Sequence, residues 1–291
     1  MAMNMYKFEN GEFNPITGRD IPDLELDSES TNSVRNKAIT EAINRILVAS
    51  TRIITPGHCR HKYLGDHVTA AQLEAIDNGS FYDEEVGDTL EVGDFWIING
   101  VKYWIVDFDY YLHTGDTEFT KHHAVIKPAV ALYNYVWNDT NVTTGAYKGS
   151  KIRTSGLDQA RTTMKAAFGS ANILTHRIYI TNTMTNGYPS KGEWVDSDIE
   201  LPTEEMLYGN KQFKVTNSLG ATIPVMHNIE KTQLALFALD KEALNARFDE
   251  WTRDPASASA VARRHAAGPS GSYDAGASGG VSPVGCLGKG A

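Results

Sequence analysis

The stretch from Trp251 to Leu287, WTRDPASASAVARRHAAGPSGSYDAGASGGVSPVGCL, most narrows what this chain can fold into. From Ala256 to Gly280 it uses only Ala, Ser, Gly, Arg, His, Asp, Tyr, Pro and Val, and holds no Lys, Glu, Gln, Met or Trp. Those missing types make up roughly a fifth of a soluble domain, so their absence over such a length is unexpected by chance. Small, conformationally permissive residues predict an exposed loop or ribbon. Its borders are apolar: Trp251 before, and Val281, Val284, Cys286 and Leu287 after. Composition alone also allows a disordered Ser/Gly/Ala tail. The apolar terminus argues for a ribbon held at both ends, because a free tail has no reason to return to a core.

With 291 residues the chain has room for two domains, or one large domain and an extension. The formal charge of -9 and the lack of a basic stripe disfavour a nucleic-acid partner. The two cysteines, Cys59 and Cys286, imply no disulfide framework, although they are free to pair. The opening MAMNMYKFENGEF has no apolar signal core, and no apolar run suffices to cross a bilayer. Synthesis in a cytoplasm without export, and no membrane insertion, are therefore expected.

Residues 1–32 are polar and rich in turn formers such as Asn10-Gly11 and Pro15, which reads as a docking arm. Residues 33–54 read as a helix capped by Ser33, with Ile39, Ile43, Ile46 and Ile53 at three-four spacing. That seam suits a short oligomerising neck, or an amphipathic helix packed on its own domain. Thr69 to Ile76 predicts a capped helix. Asn99-Gly100 between apolar runs predicts a hairpin in the clearest β region, Asp88 to Asp109. There Phe95, Ile97, Val101, Tyr103 and Ile105 are assigned to one face, Trp96 and Trp104 to the other, as in a central strand pair. His122 to Val136 is a further apolar strand or short helix. Ser155 to Phe168 is an amphipathic helix, and Leu174 to Met184 a strand. Tyr188 to Leu207 carries loop and capping signals, and Leu239 to Phe248 a short approach to Trp251.

Three fragments invite site chemistry. Cys59 with His58, His61 and His67 offers zinc ligands, but no second nearby cysteine closes a structural site. Trp137-Asn138-Asp139 spells part of a lectin calcium motif without its partner tripeptide, and calcium needs more oxygen ligands than are visible. Asp107 and Asp109 alternate on a strand without an obvious catalytic partner, and Asp83-Glu84-Glu85 reads as a solvated loop. No catalytic residue, metal or cofactor is expected.

Ser30-Thr31-Asn32-Ser33-Val34-Arg35-Asn36-Lys37-Ala38-Ile39 resembles the STNPVQNKAI phrase of phage tail fibres, where it precedes a short helix before the tip domain. Ser33 and Arg35 depart from it. Ala146-Tyr147-Lys148-Gly149-Ser150, Arg153, Phe168-Gly169, Trp251-Thr252-Arg253-Asp254-Pro255 and Gly280-Val281-Ser282-Pro283 match, in order, a module of phage and Gram-positive surface proteins. The resemblance covers roughly residues 90–288. Such modules are similar to C-type-lectin folds without requiring calcium. Ser282 stands where the module usually has an arginine anchor, which leaves open how the last strand is held. The restricted composition also resembles the variable proteins of diversity-generating retroelements. In those, template adenines are randomised, and Asn-type codons never become Lys, Glu, Gln, Met or Trp.

These resemblances imply an α+β protein: an N-terminal arm, a short oligomerising helix, and a C-type-lectin-like domain over 55–291 whose variable region is 251–288. They imply a receptor-binding protein at a phage tail or head fibre tip, trimeric, located in the virion and joined to other virion proteins through its arm. The partner would be a bacterial surface receptor, protein or glycan. The expected ligand-contacting residues are Arg263, Arg264, His265, Ser270, Ser272, Tyr273 and Asp274, with Ala260 and Ala262 as variable positions now holding a small residue. Tyrosine and arginine are common interface anchors. The alternatives are a structural decoration or collar protein and, further off, a lectin-fold enzyme; Cys59 and Cys286 match the cysteine site of formylglycine-generating oxidases poorly in spacing and context.

Overall fold

The computed structural model describes the backbone of 6–9 and 12–15, and residues 59–81, 89–210, 232–245 and 247–290 in full. The chain forms two compact units, Met1–Thr55 and Pro56–Ala291. In the first, β1 (Tyr6–Glu9) pairs antiparallel with β2 (Glu12–Pro15), with Glu9 opposite Glu12 across the Asn-Gly step. The helix expected over 33–54 and the acidic run Asp83-Glu84-Glu85 lie outside the described residues.

The second unit is α+β. Its strands are β3 (Phe95–Ile98), β4 (Val101–Phe108), β5 (Ala124–Pro128), β6 (Tyr133–Val136), β7 (Ile173–Leu174), β8 (His176–Thr185), β9 (Tyr188–Ser197) and β10 (Ile199–Glu200). Then follow β11 (Glu250–Pro255), β12 (Ala260–Arg264), β13 (Ser270–Asp274), β14 (Ser278–Val281) and β15 (Val284–Leu287). One sheet has the order β10-β15-β5-β4-β3, with β7 continuing β10's edge of β15; a second runs β13-β12-β11-β14-β6; β8 and β9 form a long hairpin. The helices are α1 (Ala70–Asp77), α2 (Asp158–Phe168), α3 (Glu204–Tyr208) and α4 (Ala235–Leu239). None of the described helices is long and apolar enough to cross a membrane.

Local chemistry explains several of these elements. Thr69 caps α1, its hydroxyl accepting from Gln72 N–H while the Gln72 side chain accepts from Thr69 N–H. Asn99 and Gly100 both take positive φ, 51° and 79°, as a two-residue hairpin turn requires. In α2, Ala160, Met164 and Phe168 recur every four residues and are buried. The Phe168 ring stands edge-on to Trp96 and Tyr103, at 5.7 and 5.1 Å between centroids. Burying such a side chain contributes about 1.5–3 kcal/mol. The residues of the motif around Tyr147 converge on one buried carboxylate. Tyr147 donates to Glu200 Oε2 at 2.6 Å, and Arg153 pairs with Glu200 Oε1 at 3.0 Å.

The two large sheets are tied by a buried set of charges. Lys127 Nζ on β5 lies 2.9 Å from Glu250 Oε2 on β11 and donates to Ser282 Oγ, which donates to Pro128 O. Arg264 Nη2 on β12 sits 2.9 Å from the same Glu250 oxygen, an ion pair by distance whose N–H does not aim at it. Its Nη1 donates to Ala243 O at 3.2 Å. Ser282, between β14 and β15, thus receives its cation from β5 rather than supplying one itself. Desolvation pushes Lys127 down to about 8, against the pull of Glu250.

The structure corrects some expectations. Trp96 pairs with Tyr103 on the buried side, whereas Phe95 pairs with Trp104 on the other, where Lys102 lies over both rings. The pair is not central: β3 ends the sheet, flanked by the extended segment 60–65. Segment 122–136 is two strands in two sheets, β5 and β6. Within Tyr188 to Leu207 the first part is no loop, because β9 pairs with β8 across Asn186-Gly187, whose φ values are 53° and 83°, whereas Thr203 does cap α3. The α2 helix is preceded by a π-turn at Ile152–Gly156. Cys59 and Cys286 do not form a disulfide.

Glu250→Ala leaves two buried cations unneutralised and is expected to lower stability by about 3–5 kcal/mol in denaturant unfolding. A second expectation concerns His176, which burial, with His123 and Arg253 adjacent, pushes down to about 3. The unfolded histidine titrates near ~6.5, so the unfolded chain binds the additional proton in between. Stability fully present above that pH falls towards 3, by roughly 3 kcal/mol between pH 7 and 4. His176→Gln removes this loss. His122, raised by its hydrogen bond to Asp109, acts with the opposite sign and is unchanged in that comparison.

Candidate functional site

The restricted segment is built into a meander. β11 pairs with β12 and β12 with β13, in the register Ala260↔Asp274, Val261↔Tyr273, Ala262↔Ser272, Arg263↔Gly271 and Arg264↔Ser270. β13 is the edge of its sheet. The turns are pinned from outside. Asn138 N–H donates to Ala275 O, Gly276 N–H to Asn141 Oδ1, and Thr143 Oγ1 to Ser257 O. At the closing end, Trp251 Nε1 donates to Tyr135 O at 2.9 Å. Gly279 lies against that indole, where a Cβ would come within 2.6 Å of the ring.

The two faces of this ribbon differ. Inward, Arg264 is 1 % exposed and Ala262 fully buried, and Ser270 Oγ donates to the buried Glu204 at 2.6 Å. Outward, the Arg263 guanidinium stacks under Tyr273, 3.3 Å from the ring centroid. Asp249 draws Arg263 and His265 together: Oδ2 is 3.1 Å from Arg263 Nη2, and Oδ1 is 3.3 Å from His265 Nδ1 and accepts Ala266 N–H at 2.9 Å. His265 lies over Gly271, which has no side chain to obstruct it. Ser272, Tyr273 and Asp274 are exposed, and Tyr273 keeps 45 % of its surface.

Of the nine expected contact residues, the structure exposes Ser272, Tyr273 and Asp274 along the edge strand, Tyr273 on one face and its two neighbours on the other, with half-buried His265 nearby. Ala262 and Arg264 are corrected to interior positions, since β12 has strands on both sides and a buried side chain meets no receptor. Arg263, 5 % exposed, acts as the base on which Tyr273 rests. Ala260 and Ser270 are half-buried at the ends of the pairing. Asp249 was missed. Only the adjacent arginines Arg263 and Arg264 hinted that carboxylates stand nearby.

The edge offers one aromatic face, hydroxyls and carboxylates to solvent. Asp107 and Asp109 are spent on structure: Asp107 accepts from Phe108 and Ala235 N–H, and Asp109 accepts from His123 N–H and meets His122. In the calcium-like fragment Asn138 accepts Lys151 N–H and Asp139 pairs with the Lys151 ammonium. No known family, curated protein or solved structure matches this chain.

Variation in the restricted segment should be tolerated unequally. Tyr273→Ala loses an exposed stack and is expected to cost about 1 kcal/mol or less. Gly279→Ala drives a methyl into Trp251 and is expected to cost about 1–3 kcal/mol. Thermal unfolding of the two variants checks the order.

Proposed function

We propose that this protein is a receptor-binding protein of a phage virion, a tail or head fibre tip that recognises a bacterial surface receptor. The edge β12–β13 is its contact face, on a C-type-lectin-like scaffold. One coincidence carries the reading: the segment lacking Lys, Glu, Gln, Met and Trp supplies the exposed edge strand. Exposed positions on such an edge change at little cost in stability, as a diversified recognition surface requires. The buried positions Ala262, Arg264 and Gly279 belong to the framework. Tyr273 is the anchor, stiffened by Arg263 beneath it, with Ser272, Asp274 and His265 as adaptable polar contacts. A trimeric tip, joined to other virion proteins through the N-terminal arm, would multiply a weak single site.

Deleting 256–280 would remove β12 from the middle of its sheet, so point substitutions test the proposal. The triple variant Ser272→Ala, Tyr273→Ala, Asp274→Ala is expected to melt within a few degrees of the parent. Purified parent protein should compete with phage adsorption to host cells, and the variant should not. Equal competition by both proteins would sink the proposal.

A further inference from the structure

Far from the ribbon in sequence, three metal-ligating side chains from two stretches meet. Cys59 Sγ, His61 Nε2 and an Asp240 carboxylate oxygen all lie within 4.8 Å of one another. Sγ is 3.8 Å from Nε2, and Nε2 is 3.1 Å from Oδ2. A tetrahedral zinc ion with bonds of ~2.3 Å to sulfur and ~2.0 Å to nitrogen and oxygen holds such donors ~3.3–3.6 Å apart. The donors thus already stand at about the separation one cation would impose.

An ordinary His–Asp ion pair beside a thiol would look similar in distance, but the supporting structure is more elaborate. Cys59 and His61 are two apart on an extended segment, and Arg60 N–H donates to Val92 O at 2.9 Å, which fixes that segment beside 92. Asp240 is the N-cap of the 3-10 turn Lys241–Leu244, its Oδ1 accepting Glu242 N–H at 2.9 Å. That bond orients the carboxylate and leaves Oδ2 towards His61, the kind of outer support that metal-ligating carboxylates have. Gly93 backs the group: a Cβ there would stand 2.9 Å from Cys59 Sγ and 3.4 Å from the His61 ring. Asp240, Asp94 and Glu91 all place negative charge near the sulfur.

We propose that Cys59, His61 and Asp240 bind one divalent transition-metal ion of the zinc class, with a fourth position open to water. The mixed sulfur, imidazole and carboxylate set suits zinc and disfavours calcium or magnesium, which take all-oxygen shells. On binding, a sulfur–metal bond forms and the thiol proton passes to solvent, while imidazole and carboxylate donate lone pairs. The ion replaces that proton and relieves the local negative charge. It would staple segment 59–61 to the turn after α4 and stabilise the folded chain by mass action. The inference does not depend on the receptor reading.

The test uses the full chain, stripped with chelator and titrated with cobalt chloride, then zinc chloride. Expected are a thiolate-to-cobalt charge-transfer band with visible bands of a four-coordinate ion, saturating at one ion per chain and displaced by zinc. Zinc should also raise the melting temperature and release a proton. Cys59→Ser should lose the charge-transfer band. Asp240→Asn, which retains an acceptor for the Glu242 N–H, and His61→Gln should weaken affinity by at least the roughly 10-fold that an outer-shell partner carries. Unchanged metal-free melting of Asp240→Asn establishes that its fold is intact should Cys59→Ser misfold. No sulfur-to-cobalt band in the parent, an equal band in Cys59→Ser, or undiminished affinity in folded Asp240→Asn would overturn the proposal.

Discussion

A single buried carboxylate, Glu250, holds the two main sheets in register. It faces Lys127 from one sheet and Arg264 from its own, and neither cation has meaningful access to water. Removing ions from water is expensive, so each member persists only because the others are in place. Two cations to one anion leaves a residual positive charge. Desolvation is the main reason Lys127 is held low, with Arg264 adding to it, and the Ser282 hydroxyl accepts from its ammonium. Such a group fixes geometry more than it adds stability: β5, β11, β12 and the crossing at Ser282 must all arrive together.

That fixed geometry gives the C-terminal ribbon its two characters. Alternate residues of one short strand do opposite things, Arg264 turning to the core and Arg263 to the rim, because side chains on a strand alternate between faces. The rim group is arranged around Asp249, next in sequence to Glu250. Neighbouring acids thus serve the two sides, one under the sheet and one at its edge.

Local signals were legible where a residue needs only its neighbours. The Thr69 capping box, the Asn99-Gly100 turn and the four-residue spacing of α2 could be read directly, since each rests on backbone geometry within a few residues. Asn186-Gly187 carried the same turn signal and was passed over, because the polar strands around it hid the β8–β9 hairpin. The face assignment of Trp96 and Trp104 failed for another reason: a two-residue turn sets the cross-strand register, and apolar residues on both faces gave the pattern nothing to distinguish.

By itself the sequence determined that the C-terminal segment is compositionally restricted, small-residued and tied to a core at both borders, and that the chain mixes helices with strands. Those properties follow from residue chemistry and local backbone preference. Only the tertiary structure decided that Arg264 meets Glu250 while Arg263 meets Asp249, and that Cys59 and His61 meet Asp240. These are contacts between residues far apart along the chain. No local periodicity encodes them, because they exist only once the sheets have closed on each other.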